Sequence, residues 1–193
     1  FAGWRRGLAD GTVVPVLGPG ALEGARHPDS GDAMPADHAS LILAMSGGRR
    51  LSPVLMHEFS RAAMKVEHDF GRPYLERFLD ACYGEVAWTR APLIDWLAQL
   101  QPAWVIDLNR DTQLQQAWAT LREVPPGPGP VLFKPLGTPW PEPSYIASDA
   151  DFVDYLTELM GGFSLPPFLK ARRKGKRYLT LGLRFTRDTE RIL

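Results

Sequence analysis

Three small groups of polar or glycine residues each follow an apolar run: Gly18-Pro19-Gly20 after Thr12 to Leu17, Asn109 and Asp111 after Trp104 to Leu108, and Gly182 with Arg184 after Tyr178 to Leu181. An amide, a carboxylate and a guanidinium hold ligands through hydrogen bonds and charge, and strands that stop in such turns build ligand sites at their carboxyl ends. Each group also has a plainer reading. Asn109 and Asp111 are residue types that cap a following helix, and Gly18 to Gly20 reads equally as a simple turn. Arg184 either grips a phosphate through charge-assisted hydrogen bonds or fills the space a ligand would take. The four histidines, His27, His38, His57 and His68, are scattered. No metal-ligand spacing, nucleophile elbow or Lys-Ser phosphate loop accompanies them.

The elements that must position these groups follow from hydrophobic spacing and breaker residues. Strands are expected at Thr12 to Leu17, Trp104 to Leu108, Val131 to Lys134 and Tyr178 to Leu181. A polar loop should run from Glu23 to Asp37. Helices are expected at Ala39 to Met45, Pro53 to Val66, Pro73 to Tyr83, Pro92 to Leu100, Asp111 to Arg122, Asp149 to about Leu159 with Ser148 as cap, and Pro166 to Arg173. The proline-glycine run from Pro125 to Pro130 ends one of them, and Thr138 to Ser144, with three prolines and a tryptophan, is a shaped loop. Trp88, Trp96, Trp104 and Trp118 fall in helical or strand patterns and are assigned to the core, whereas Trp140 between two prolines is assigned to an exposed lid or contact. Alternation of helix and strand argues for an α/β fold, a mostly parallel sheet with helices on both faces.

Composition narrows the function classes. The 193 residues suit one domain, and 45% hydrophobic content describes a chain able to bury a sizeable core. With 22 acidic against 22 basic side chains, no general pull toward nucleic acid or an acidic membrane is expected. The basic run Lys170 to Arg177 carries no interleaved aromatic and reads as a solvated turn rather than a nucleic-acid patch. The single cysteine, Cys82, excludes an internal disulfide and a four-cysteine zinc ribbon, which makes a reducing, cytoplasmic setting the default. No apolar run reaches the roughly 18 residues of a membrane helix. A start at Phe1 and an end at Arg191-Ile192-Leu193 in mid-pattern point to a trimmed or partial chain.

The order of Gly18-Pro19-Gly20, Asp107-Leu108-Asn109-Arg110-Asp111, Pro135-Leu136-Gly137, the helix from Asp149 and the final strand into Gly182 through Asp188 resembles the bacterial, zinc-free branch of sirtuin-like domains. The resemblance covers nearly the whole chain. It implies one Rossmann-like nucleotide-binding domain over residues 1–193, with a helical insertion at about 37–100. It also implies nicotinamide adenine dinucleotide (NAD) or ADP-ribose lying across the strand ends, with Gly18, Pro19, Gly20, Asn109, Asp111, Gly182 and Arg184 as contacts and no metal. In active members an asparagine orients the ribose and a histidine takes a proton from a ribose hydroxyl. Asn109 and Asp111 match that pattern, but Leu136 stands at the histidine position, and leucine neither accepts a proton nor donates a hydrogen bond. A missing general base removes roughly 10² to 10⁴ in rate.

Pro19 takes a further N–H from a turn whose amides face phosphate in the family, and Leu183 and Arg184 replace small or hydroxyl side chains. His27 or His38, in the loop after the first strand, is placed to replace the lost base, although ordinary surface histidine is the commoner reading of both. Three readings follow: a catalytically impaired nucleotide sensor or regulatory module, an active NAD hydrolase of the bacterial defence type, and a structural, partner-binding protein with a closed pocket. Protein deacetylation is the least expected activity, because the zinc ribbon and peptide-binding cleft of true deacetylases have no counterpart in a chain with one cysteine.

Overall fold

The computed structural model describes residues 2–119, 130–161, 170 and 174–192. Four strands, β1 (Val13–Leu17), β2 (Trp104–Asp107), β3 (Val131–Phe133) and β6 (Arg177–Leu181), form an all-parallel sheet in the order β3-β2-β1-β6. At the carboxyl ends of the strands Leu17 lies opposite Asp107 on one side and Leu181 on the other. The sheet is flanked by helices, so the chain is α/β and Rossmann-like. All four strands fall within a residue of the positions expected from their apolar runs.

One sheet face carries Leu17, Val105, Leu132 and Leu181 into the main core. That core is built by α2 (His38–Met45), α4 (Phe59–Phe70), α5 (Arg72–Asp80), α6 (Pro92–Leu100) and α7 (Gln113–Ala119). Helix α4 shows the spacing that makes this work: Phe59, Ala62, Ala63 and Val66 are buried at i, i+3, i+4 and i+7, which puts them on one stripe. The other face packs Val16 and Ile106 against Leu108, Leu136 and Phe152, the last from α8 (Asp149–Met160). Ser148 caps α8 as expected, in a reciprocal box with Asp151. A short antiparallel pair, β4 (Gly137–Thr138) and β5 (Ser144–Tyr145), frames the loop with Trp140, which is exposed.

Several expectations need correction. The helix expected from Pro53 to Val66 is two, α3 (Pro53–His57) and α4, broken at Glu58 in extended backbone, and Val54 is exposed rather than core-facing. The break has a tertiary cause: Glu58, almost fully buried, accepts hydrogen bonds from Thr189 Oγ1 (2.5 Å) and the Asp188 N–H (3.3 Å), at the start of the terminal helix α9 (Asp188–Ile192). Helix α5 ends at Asp80 in a π-helical turn, Ala81–Glu85, rather than running to Tyr83. Trp96 is half-exposed, not core. Helix α1 (Ala2–Ala9) was not expected. The helix expected at Pro166 to Arg173 lies largely outside the described residues. Among the described residues no helix is long and apolar enough to cross a membrane.

Candidate functional site

In an open parallel sheet, ligands bind beyond the strand ends where the chain order reverses, which here is the seam between β1 and β6. The seam is made of glycine. Gly182 has φ +73, and a Cβ there would run into the backbone of Gly20 and Ala21; a Cβ on Gly20 would lie 2.9 Å from the Cα of Gly182. Only residues without side chains let the two turns approach so closely. The N–H groups of the first turn are consumed by the same joint: Gly18 donates to Leu181 O (2.9 Å), Gly20 to Gly182 O (3.0 Å) and Ala21 to Gly18 O (2.9 Å). Pro19 has no N–H to give. The amides expected to face phosphate thus hold β1 to β6, and a Cβ on Gly18 would run into the Leu183 side chain.

Asn109 ties β2 into this joint. Its Nδ2 donates to Gly18 O (3.0 Å) and to Asp107 Oδ1 (3.0 Å), and the same Oδ1 receives the Asn109 N–H (3.0 Å). Asp107 is held in turn by Lys134 Nζ at 2.5 Å, in an ion pair with side chains 1% and 5% exposed. Both amide hydrogens of Asn109 are therefore spent on the fold, while its Oδ1 accepts no bond from a described residue. Asp111 is a cap: its buried Oδ1 accepts the N–H of Gln113, the first residue of α7, at 2.7 Å. Its Oδ2 is buried without a partner. Burial raises the Asp111 pKa to about 6, with Lys134 lowering it and Asp107 raising it.

Two adjoining cavities lie beyond the strand ends. The inner one, about 40 Å³, is bounded by Asn109, Arg110, His38, Leu136, Phe152 and Leu183, among others. Leu136, at the position where the resemblance expects histidine, packs with Leu108 and Phe152 and narrows it. The outer cavity, about 430 Å³, is bounded by Pro19, Gly20, Gly182 and Arg184, with Arg26, Arg187 and His38 as further polar groups. Glu23, Asp37 and Glu190 supply opposing charge there. Small-molecule pockets commonly measure about 300–1,000 Å³, so the outer cavity falls in that range and the inner one far below it. Of the seven residues singled out in the sequence, four (Pro19, Gly20, Gly182 and Arg184) line the outer cavity, and Asn109 lines the inner one with Pro19. Gly18 and Asp111 line neither.

His38 and His27, the two candidate replacement bases, separate clearly. His27 Nδ1 accepts the N–H groups of Asp29 and Ser30 within its own loop, and the ring meets Trp88 edge-on. His38 lines both cavities. Its Nδ1 accepts the Phe59 N–H at 3.0 Å and stands 3.4 Å from Glu58 Oε1. Burial lowers its pKa, with the Glu58 carboxylate pulling the other way. A neutral ring whose Nδ1 accepts carries its hydrogen on Nε2, which makes His38 a donor there and not a base.

Sequence reading passed over Arg110, Arg26 and Arg187. Arg110 had a signal, a cation set in a turn whose neighbours on both sides were already candidates; Arg26 and Arg187 had none, since nothing local in the sequence shows that they converge. Among the described residues no group of three or more His, Cys, Asp or Glu side chains is placed to hold a metal ion. A scan against models of known protein families and a search of curated proteins return no match to this chain.

Proposed function

We propose that this chain is a sirtuin-like nucleotide-binding domain that holds ADP-ribose, or the ADP-ribose part of NAD, as a sensor or regulatory module and does not break the nicotinamide–ribose bond. The observation that carries the reading is the contrast between the two cavities: an outer one of about 430 Å³ with Arg26, Arg184 and Arg187, and an inner one of about 40 Å³ closed down by Leu136 and Phe152 beside Asn109. A diphosphate needs charge-assisted donors, which the arginines supply in place of the turn amides spent on the β1–β6 joint. Gly20 and Gly182 leave the cavity wall free of side chains at the strand ends, where a nucleotide backbone would come closest. A nicotinamide ring has no room in about 40 Å³ beside Asn109; of the groups on that wall, His38 spends its Nδ1 on the Phe59 N–H and the Glu190 carboxylate accepts the Thr186 N–H at 3.2 Å.

Titration calorimetry with ADP-ribose tests it. Saturable binding that weakens by about tenfold or more in Arg184→Ala supports the reading, because a hydrogen bond to a charged group is worth about 1.5–3 kcal/mol. Flat titrations with both ADP-ribose and NAD favour the structural, partner-binding alternative.

A second reading is active NAD hydrolysis, favoured by one observation, that His38 and Asn109 line the same cavity. It requires the Nδ1 of His38 to give up the Phe59 N–H. Nicotinamide release that disappears in both His38→Ala and Asn109→Ala would establish it.

A further inference from the structure

Arg110 is a buried cation without a counter-ion. It is 9% exposed, and no carboxylate of a described residue lies within ion-pair distance of it. Its Nη2 donates to the Ile146 carbonyl at 2.5 Å, and its guanidinium stands 5.3 Å from the centre of the Phe59 ring. Nε is buried with no partner, and Nη1 makes no hydrogen bond to a described residue. The acids nearest in the fold are engaged elsewhere: Asp151 Oδ2 holds Arg72 Nη1 (2.6 Å) and the N–H groups of Ala147 and Ser148, while Glu58 holds Thr189. Glu190 also lines the cavity, but its Oε2 accepts the Thr186 N–H at 3.2 Å. Taking a guanidinium out of water costs several kcal/mol unless a partner compensates, so an unpaired one beside a cavity marks the place of an anion.

The space next to it is small but real. About 40 Å³ exceeds the roughly 10–15 Å³ that one water needs, and it falls far short of a nucleotide or an aromatic acid. Its walls are mixed: Leu41, Leu136 and Phe152 are apolar, and His38, Asn109 and Arg110 are polar. Arg110 presents a planar set of donors, which matches the two oxygens of a carboxylate better than a single spherical ion.

We propose that the inner cavity is a binding site for a short carboxylate, of the size of formate or acetate, held by the free N–H groups of Arg110. The site is separate from the nucleotide reading of the outer cavity and does not depend on it. Occupation would neutralise a buried charge that has no ion pair among the described residues, and would stabilise the strand-end joint next to Asn109.

The test is thermal melting of the whole chain at fixed pH and ionic strength, titrating sodium formate, acetate and benzoate against chloride. Formate and acetate should raise the melting temperature saturably, by about 3–6 °C at ten times their dissociation constant, and benzoate should not. Arg110→Met should lose the response, and should melt no lower than the parent in chloride because it removes an uncompensated charge. A crystal grown in sodium acetate should show the planar density of a carboxylate beside Arg110 without any substitution. Equal responses to all three carboxylates, the same response in Arg110→Met, or an acetate-grown crystal without carboxylate density at Arg110 would each overturn the proposal.

Discussion

Asn109 shows how one side chain serves both fold and site. Its two amide hydrogens bridge the ends of β1 and β2, and only its carbonyl oxygen is left for the inner cavity. Asn109→Ala should therefore destabilise the chain by about 1–3 kcal/mol in a denaturant titration, through a buried Gly18 carbonyl and Asp107 oxygen each losing a donor. The loss should appear whether or not nucleotide is present. Asp111 tests the electrostatics. Its carboxyl has a folded pKa of about 6 against an ordinary 3.8, so it prefers to be protonated in the folded state. Its contribution is fully present below pH 3.8 and is lost as the pH rises through about 6. Asp111→Asn keeps the cap and removes the charge, so it should raise the melting temperature at pH 7.5 relative to the parent and narrow that difference toward pH 4. An unchanged difference across that range would mean that the Lys134 charge already stabilises the ionised form.

At the scale of elements, the β1–β6 joint and the α3–α4 break set what the site can do. Gly182→Ala puts a side chain at φ +73 and against the backbone of Gly20 and Ala21, and should cost more than about 2 kcal/mol or prevent folding, as seen by circular dichroism. Glu58→Ala removes the acceptor for Thr189 and Asp188, and should speed hydrogen exchange in residues 186–192 while leaving the amides of β1 and β2 slow. The strands were legible because each is a short apolar run bounded by Gly, Pro, Asn or Asp, which are local signals. The break at Glu58 was not, because its cause is a partner about 130 residues away in sequence. Capping was legible at Ser148, and Asp111 accepts the N–H of Gln113 at the start of α7, as the plainer of its two readings expects. The Gly-Pro-Gly run was legible as a turn after β1; that Gly20 packs against Gly182 was not, because the partner lies about 160 residues away in sequence.

For the molecule as a whole, the parallel sheet delivers its polar residues to one end and then divides the space there. Leucine and phenylalanine crowd the inner part, and arginines from distant stretches, Arg26 in the loop after β1 and Arg184 and Arg187 after β6, gather around the outer part. A neutral overall charge hid this, since 22 acidic and 22 basic side chains say nothing about where they converge. Leu136 drew notice in the sequence only through a resemblance that expects histidine there; its place against Leu108 and Phe152, beside a cavity of about 40 Å³, is a matter of packing. The same scale holds the most direct test. Calorimetric titration of ADP-ribose into the parent chain and into Arg184→Ala, with the NAD content of a parallel sample followed over the same hours, measures binding and turnover together. Saturable binding weakened at least about tenfold by the substitution, with the dinucleotide intact, is the predicted result; no heat of binding, or steady release of nicotinamide, would contradict it.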